Sequence, residues 1–257
     1  MSLERQSMAF RTIVRKEVTR FMRIWPQTLL PPLINQSLYF IIFGGFIGSQ
    51  ISEIKGISYM SYIIPGLIMM GVINNSFANV VSSFFSSKFQ RNVEEMMVAP
   101  VSNATILFGY TVGGVLRGIL VGLLILGMAL FFVPFQIEHP FYFFTFSLLT
   151  AFLFSVAGFF NGLLARKFDD ISIFQTFILT PLTYFGGVFY SIDRLPSFWQ
   201  TVSKLNPILY MVDGFRYGFY GINDVDPLFA LVFLLICCLI LVGMSLWMLD
   251  SGYGLKS

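Results

Sequence analysis

GISYMSYIIPGLIMMGVINNSFANVVSSFFSS (56–87) contains no Asp, Glu, Lys, Arg or His, and it runs directly into KFQRNVEEMMVAP (88–100). About 20 mainly apolar residues cross the hydrocarbon core of a bilayer. The first stretch is therefore long enough to span, and the second is what emerges from it. The same test finds charge-free windows at 24–52, 96–116, 118–137, 140–165, 171–192 and 227–249. Five windows each predict one helix, at about 27–48, 61–85, 140–164, 171–190 and 227–249. Only Arg117 separates the remaining two. Ser102 and Asn103 follow Pro100 and suit a helix start, and 104–133 would extend about 45 Å at 1.5 Å per residue. That is too long for a bare crossing and too short for two crossings and a turn. The segment reads as one helix that starts in water, passes Arg117 near the cytoplasmic side and then crosses. The expected fold is an all-α polytopic membrane protein of six spans.

Composition agrees. The 257 residues are 56% hydrophobic and 11% charged, with a mean hydropathy of +0.78, against about 25% charged in ordinary soluble domains. This excludes a soluble enzyme and a disulfide scaffold. A formal net charge of +3 gives no reason to expect nucleic acid as a partner. Cys237 and Cys238 are adjacent and cannot close a loop. The first apolar run begins after 26 residues and is too long for a signal-peptide core, so no cleaved leader is expected.

Six crossings put both termini on one side. That side carries Arg5, Arg11, Arg15, Lys16, Arg20, Arg23, Lys88, Arg91, Arg166, Lys167 and Lys256; the other carries Lys55, Arg194, Lys204 and Arg216. The excess of cations marks the cytoplasmic side.

Three segments lie outside the spans. Residues 8–25 place Phe10, Ile13, Val14, Val18, Phe21, Met22 and Trp25 at helical spacing, with five cations around the rest of the circumference. This is an amphipathic helix lying in the interface beside anionic headgroups, either as a topology anchor or with a mechanical role. Pro26 ends it, so 1–26 is read apart from the six-helix body, 27–257. In 88–100, Phe89, Val93, Met96 and Met97 share one helical face and Lys88, Arg91, Glu94 and Glu95 the other, up to Pro100. A short helix of this kind suits docking to another protein or is a solvated connector. The outer loop 191–226 predicts two short helices dipping into the outer leaflet. Leu195, Phe198, Trp199, Val202 and Leu205 form an apolar stripe, and Asn206-Pro207 breaks the first helix from the second.

No nucleophile–base set is present, His139 sits in a short outer loop, and no carboxylate lies within a predicted span. Ion-driven carriers generally need ionisable groups at depth. No phosphate-cradling glycine loop with its lysine occurs, so any ATPase must be a separate chain. Asn75, Asn79, Ser82, Ser83 and Ser86 share a face of the second span, and Ser172, Thr176, Thr180 and Thr183 a face of the fifth. Such stripes either line a path for a polar or amphipathic solute or pair helices by hydrogen bonds. Gly114, Gly118 and Gly122, Gly158 and Gly162, and Gly44 and Gly48 recur at four-residue spacing and allow close helix packing.

Glu94-Glu95-Met-Met-Val-Ala-Pro-Val-Ser102 after the second span resembles the cytoplasmic signature of type 2 ATP-binding-cassette (ABC) export permeases. Pro181-Leu-Thr-Tyr-Phe-Gly-Gly-Val-Phe-Tyr190, Leu195-Pro196, Phe198-Trp199, Asn206-Pro207 and Arg216 resemble the fifth span and outer loop of the same family. The order of elements matches over nearly the whole chain, most like the short bacterial permeases of inner-membrane export systems. The resemblance implies a permease homodimer in the bacterial inner membrane with two copies of a separate ABC ATPase. ATP and Mg would sit on that subunit and no cofactor on this chain. The counterpart of 88–100 would be the coupling helix, and the outer hairpin would shape the exit. An ion-gradient-driven carrier and a non-transporting scaffold are the alternatives. The substrate class, whether lipid, drug or glycan, does not follow.

Overall fold

The computed structural model describes residues 3–48, 50 and 53–254. Lys256, counted in the charge comparison, lies outside them, as do residues 49, 51 and 52 of the first charge-free window. The chain folds as helix α1 (Leu3–Arg23), α2 (Trp25–Tyr39) continuing as a π-helix (Phe40–Ile47), a short hairpin β1 (Glu53–Ile54) and β2 (Ile57–Ser58), α3 (Tyr59–Phe89), α4 (Asn92–Val98), α5 (Asn103–Ala129) and α6 (Pro140–Leu164). There follow α7 (Phe168–Phe174), a π turn (Gln175–Leu179), α8 (Thr180–Tyr184), α9 (Ser197–Lys204), α10 (Pro207–Tyr220) and α11 (Pro227–Ser251).

Helix starts obey local chemistry. Ser102 Oγ accepts the Thr105 N–H at 3.2 Å, Asn206 Oδ1 accepts that of Ile208 at 3.0 Å, and Asp226 Oδ1 accepts that of Phe229 at 2.8 Å. Pro140, Pro207 and Pro227 open their helices, where a missing N–H costs nothing. The hairpin turn puts Lys55 and Gly56 at positive φ, as a two-residue turn between twisted strands requires.

Among the described residues, five helical stretches are long and apolar enough to cross a bilayer: Trp25–Ile47, Tyr59–Phe89, Asn103–Ala129, Pro140–Leu164 and Pro227–Ser251. The stretch expected as 171–190 is a composite of α7, the π turn and α8. It begins at Phe168 and stops at Tyr184, because Gly186 and Gly187 follow and Gly187 takes a positive φ. The α5 helix ends at Ala129 rather than Val133, and α1 reaches back to Leu3.

The α3 helix is the axis of the bundle, buried along most of its length between α5 and α6. Glycines explain the close fit. A Cβ at Gly158 of α6 would stand 2.6 Å from the Phe77 carbonyl oxygen, and one at Gly162 would stand 2.9 Å from the Phe84 ring. Gly114, Gly118 and Gly122 of α5 face Val80, Ser76 and Val72. Both stripes thus serve the same central helix, a partner the spacing alone did not specify. By contrast, α2 and α11 leave most of their apolar side chains exposed or half-buried, as lipid-facing or partner-facing helices do.

The loops sort into two ends. At one, Gln6 Nε2 donates to the Pro100 carbonyl at 3.2 Å and Asn103 Nδ2 to Asp250 Oδ1 at 2.6 Å. This brings α1, the α4–α5 link and the end of α11 together. At the other, Lys55 pairs with Asp224 and donates to the Asn223 carbonyl at 2.9 Å, and the His139 N–H bonds the Gly218 carbonyl at 3.0 Å.

Candidate functional site

A polar groove of about 340 Å³ opens between α2, α3 and the π turn. From α2 come Gln27, Thr28, Pro31, Pro32, Asn35, Gln36 and Tyr39; from α3 come Met70, Gly71, Asn74, Asn75 and Ala78; Arg117 of α5 and Gln175 complete it. Among the described residues, six carboxamides and one guanidinium line it, and no carboxylate does.

Two backbone irregularities build it. Pro32 lacks the N–H that would bond the Thr28 carbonyl four residues earlier. Arg117 Nη2 donates to that carbonyl at 3.3 Å and to Asn75 Oδ1 at 3.2 Å. A prolyl break inside a span is thus satisfied by a cation from a neighbouring helix. Opposite, the π turn aims Gln175 into the groove, and its carbonyl is held by the Thr180 hydroxyl at 2.9 Å. Single π turns are frequent where helices serve function. Thr28 belongs to the first turn of α2, so Arg117 lies at the α1 end of the bundle. Inside the groove, Gln36 Oε1 and Arg117 Nε are buried with no hydrogen-bond partner among the described residues.

Of the expected path residues, Asn75 lines this groove. Asn79 and Ser83 are buried one and two turns further on and are committed to α1. Arg20 Nη2 donates to Asn79 Oδ1 and to its carbonyl, each at 2.9 Å, and Ser83 Oγ donates to Glu17 Oε1 at 2.6 Å. Ser82 bonds the Ala78 carbonyl of its own helix. In the fifth stretch, the π turn breaks the α-helical register. Ser172 and Thr176 are exposed while Thr183 is buried and bonds the Leu179 carbonyl, so Thr176, Thr180 and Thr183 do not share one face.

The sequence reading missed Glu17. It is fully buried, bonded to Ser83 and paired with Arg20 at 3.2 Å. Its methylenes fill the notch at Gly113, where a Cβ would stand 2.5 Å away, while Ile13 fills the notch at Gly109. Ile13, Glu17 and Phe21 form the packed face of α1, so the helix docks on α5 and α3 as well as lying at an interface. The signal was present as a lone acid among five cations. The groove carboxamides were also visible as Gln27, Asn35 and Gln36 inside a charge-free window.

The segment 88–100 divides. Lys88 and Phe89 belong to the last turn of α3, Arg91 turns the chain at φ +62°, and only Asn92–Val98 forms α4. Lys88 Nζ donates to the carbonyls of Leu163 and Ala165 at 2.7 and 2.6 Å, capping α6. Phe89 packs on Phe168 with ring centroids 5.2 Å apart. Val93 is buried in a cluster that also holds Ile13, Phe84 and Ile106, and Met96 is half-buried, whereas Arg91, Glu94 and Glu95 are exposed. The Met97 side chain lies outside what is described. Pro100 is exposed, with its carbonyl held by Gln6. A wider cavity of about 810 Å³ opens beside α4, lined by Phe85, Lys88, Arg91, Glu94, Arg166 and Tyr253 among others.

At the opposite end, the two short helices expected after Pro196 are present as α9 and α10, split at Asn206-Pro207. Phe198, Trp199 and Leu205 are exposed and Leu195 half-buried; Trp199 stacks on Phe185 at 5.1 Å. Asn206 Nδ2 donates to the Leu182 carbonyl at 2.6 Å. Arg216 is buried, with its guanidinium 4.0 Å from the centre of the Tyr62 ring and Nη2 donating to the Gly187 carbonyl at 2.7 Å. Asp213 stands 3.6 Å from it and accepts the N–H groups of Asp224 and Val225. Burial, and then the Asp224 carboxylate, push the Asp213 carboxyl up to about 6, against the pull of Arg216.

The model of the ABC-2 type transporter family matches residues 8–220. The chain belongs to that family. This ABC-2 permease is 56% identical over 252 residues to the inner membrane transport permease YadH of Escherichia coli K12, covering 97% of this chain and 98% of that one. It is 24% identical over 200 residues to nodulation protein J of Rhizobium leguminosarum bv. trifolii, covering 77% of this chain and 76% of the relative. It is a multi-pass transport permease of the inner membrane, of a family that generally works with an ATPase partner.

Proposed function

We propose that this permease is the membrane half of an ATP-driven exporter and works as a homodimer with two copies of a separate ABC ATPase, which carries the ATP and Mg. The observation that carries the reading is that α3, the helix lining the polar groove, ends directly in α4, whose acidic side chains point outward. A push on α4 is delivered to Asn74 and Asn75 along a helix packed into the glycine notches of α5 and α6. The α1 helix joins the same path through Glu17 and Arg20.

Six spans are read, with 168–184 counted as the fifth: 17 residues, about 25 Å long, at the short end of what crosses. The basic residues gathered around α1, α4 and the α6–α7 link support a cytoplasmic position for that end, which holds α1 and the end of α11. Exposed apolar side chains on either flank of the groove, Ile34 and Leu38 on α2 and Ile173 and Phe177 on the fifth stretch, give a second copy a surface on which to close it. The α9–α10 hairpin, anchored by Arg216, caps the outer exit. An amphipathic solute fits a polar groove set among apolar helices.

The test is charge reversal, Glu94→Lys with Glu95→Lys. Insertion and assembly should persist, while ATP-dependent export and stimulation of the partner ATPase are lost. Unchanged export would overturn the coupling role of α4. Export that follows an ion gradient with ATP absent would favour a carrier instead.

A further inference from the structure

The groove holds two unspent hydrogen-bonding atoms of opposite kind. Gln36 Oε1 is an acceptor and Arg117 Nε a donor; both are buried, and neither has a partner among the described residues. Gln36 is 4% exposed, so its oxygen carries the desolvation cost of an unmade bond. Arg117 carries the one formal charge among the described residues lining the groove. Its charge is not neutralised there: the partners of its Nη2 are a carbonyl and a carboxamide oxygen. Glu17 is spent on Ser83 and Arg20. A group that fits must therefore bring a negative oxygen for the guanidinium, which sits at Asn75, and an O–H or N–H for Gln36, which sits at Gly71, one turn along α3. Neutral carboxamides around it, Asn35, Asn74 and Gln175, accept and donate without selecting for charge. Arg117 lies level with the first turn of α2, so such a head enters from the cytoplasmic leaflet while its chains stay in hydrocarbon.

We infer that the groove is a headgroup site for an anionic amphiphile whose head carries a hydroxyl or amide N–H beside its negative oxygen. This deepens the reading of the groove as the substrate route and rests on it. Binding is measured without ATP or partner, so its failure is distinct from failure of ATP-driven export.

The full chain is placed in nanodiscs of phosphatidylcholine doped in turn with one of three lipids. Phosphatidylglycerol has charge and hydroxyls, phosphatidylmethanol charge alone, and glucosyl-diacylglycerol hydroxyls alone. Lipid retained on the protein is then counted by native mass spectrometry. Phosphatidylglycerol should be retained over each of the others by on the order of tenfold, the worth of a charge-assisted or buried hydrogen bond. Arg117→Gln should erase the preference over the glucosyl lipid, and Gln36→Leu the preference over phosphatidylmethanol. Equal retention of all the dopants by the unaltered chain would overturn the inference. So would a folded Gln36→Leu variant that keeps the full preference over phosphatidylmethanol. Should Arg117→Gln fail to fold, the wild-type comparison and Gln36→Leu decide the matter alone.

Discussion

Replacing Glu17 by alanine should release α1 from the bundle. The carboxylate is fully buried, accepts the Ser83 hydroxyl at 2.6 Å and pairs with Arg20 at 3.2 Å. Arg20 is about one-third exposed, so its pair contributes only about 0.5 kcal/mol. The buried bond from Ser83 to a charged acceptor is worth about 1.5–3 kcal/mol, because its loss strands the hydroxyl. Loss of the methylenes over Gly113 adds to this, for a total of about 3 kcal/mol. At about 1.4 kcal/mol per decade, the undocked population of α1 rises roughly a hundredfold. Glu17→Gln keeps the shape and one acceptor and should cost about 1 kcal/mol, roughly fivefold to tenfold. The assay is trypsin cleavage in the first 24 residues, which hold five of the chain's cations between Arg11 and Arg23. It is run on protein in vesicles with the cytoplasmic face outward, at protease levels where cleavage follows the open population. Ser83→Ala completes a double-mutant cycle, with an expected coupling of about 1–2 kcal/mol. Cleavage of Glu17→Ala at the wild-type rate, or additivity in the cycle, would refute the docking of α1 through Glu17.

Gly158→Leu should prevent assembly, since its Cβ meets a backbone oxygen of α3 and not a side chain that can move; size-exclusion profiles in detergent check this. Lys88→Met should lower thermal stability by about 1–3 kcal/mol by stranding carbonyls at the end of α6, while co-purification of the ATPase persists, because the Lys88 ammonium is spent on the Leu163 and Ala165 carbonyls. At the end of the bundle opposite α1, the Asp213 carboxyl stands at about 6, above its unfolded value. The native state therefore holds a proton there that the unfolded chain has lost between about pH 4 and pH 6, and stability falls as pH rises through that window. Thermal unfolding of the wild type should drop across it by up to a few kcal/mol, and Asp213→Asn should flatten the profile.

The sequence by itself determined the solvent of this protein and most of its spans, because a charge-free run of 20 residues has no stable home except a bilayer or a core. It also gave the amphipathic N-terminus, the short acidic segment after the second span and the break at Asn206-Pro207, all local features set by spacing and by proline. Tertiary structure decided which polar groups meet. Asn75, Asn79 and Ser83 share a stripe, yet Asn75 faces the groove while the other two hold Glu17 and Arg20. That division depends on where α1 lands, and α1 is fixed by two glycine notches on α5. Lys88 reads as part of a docking face, but a long side chain at the end of α3 finds the bare carbonyls of α6 first. The groove needed Pro32 to free a carbonyl on one helix and Arg117 to answer it from another, a contact between residues 89 positions apart that no periodicity within either helix encodes.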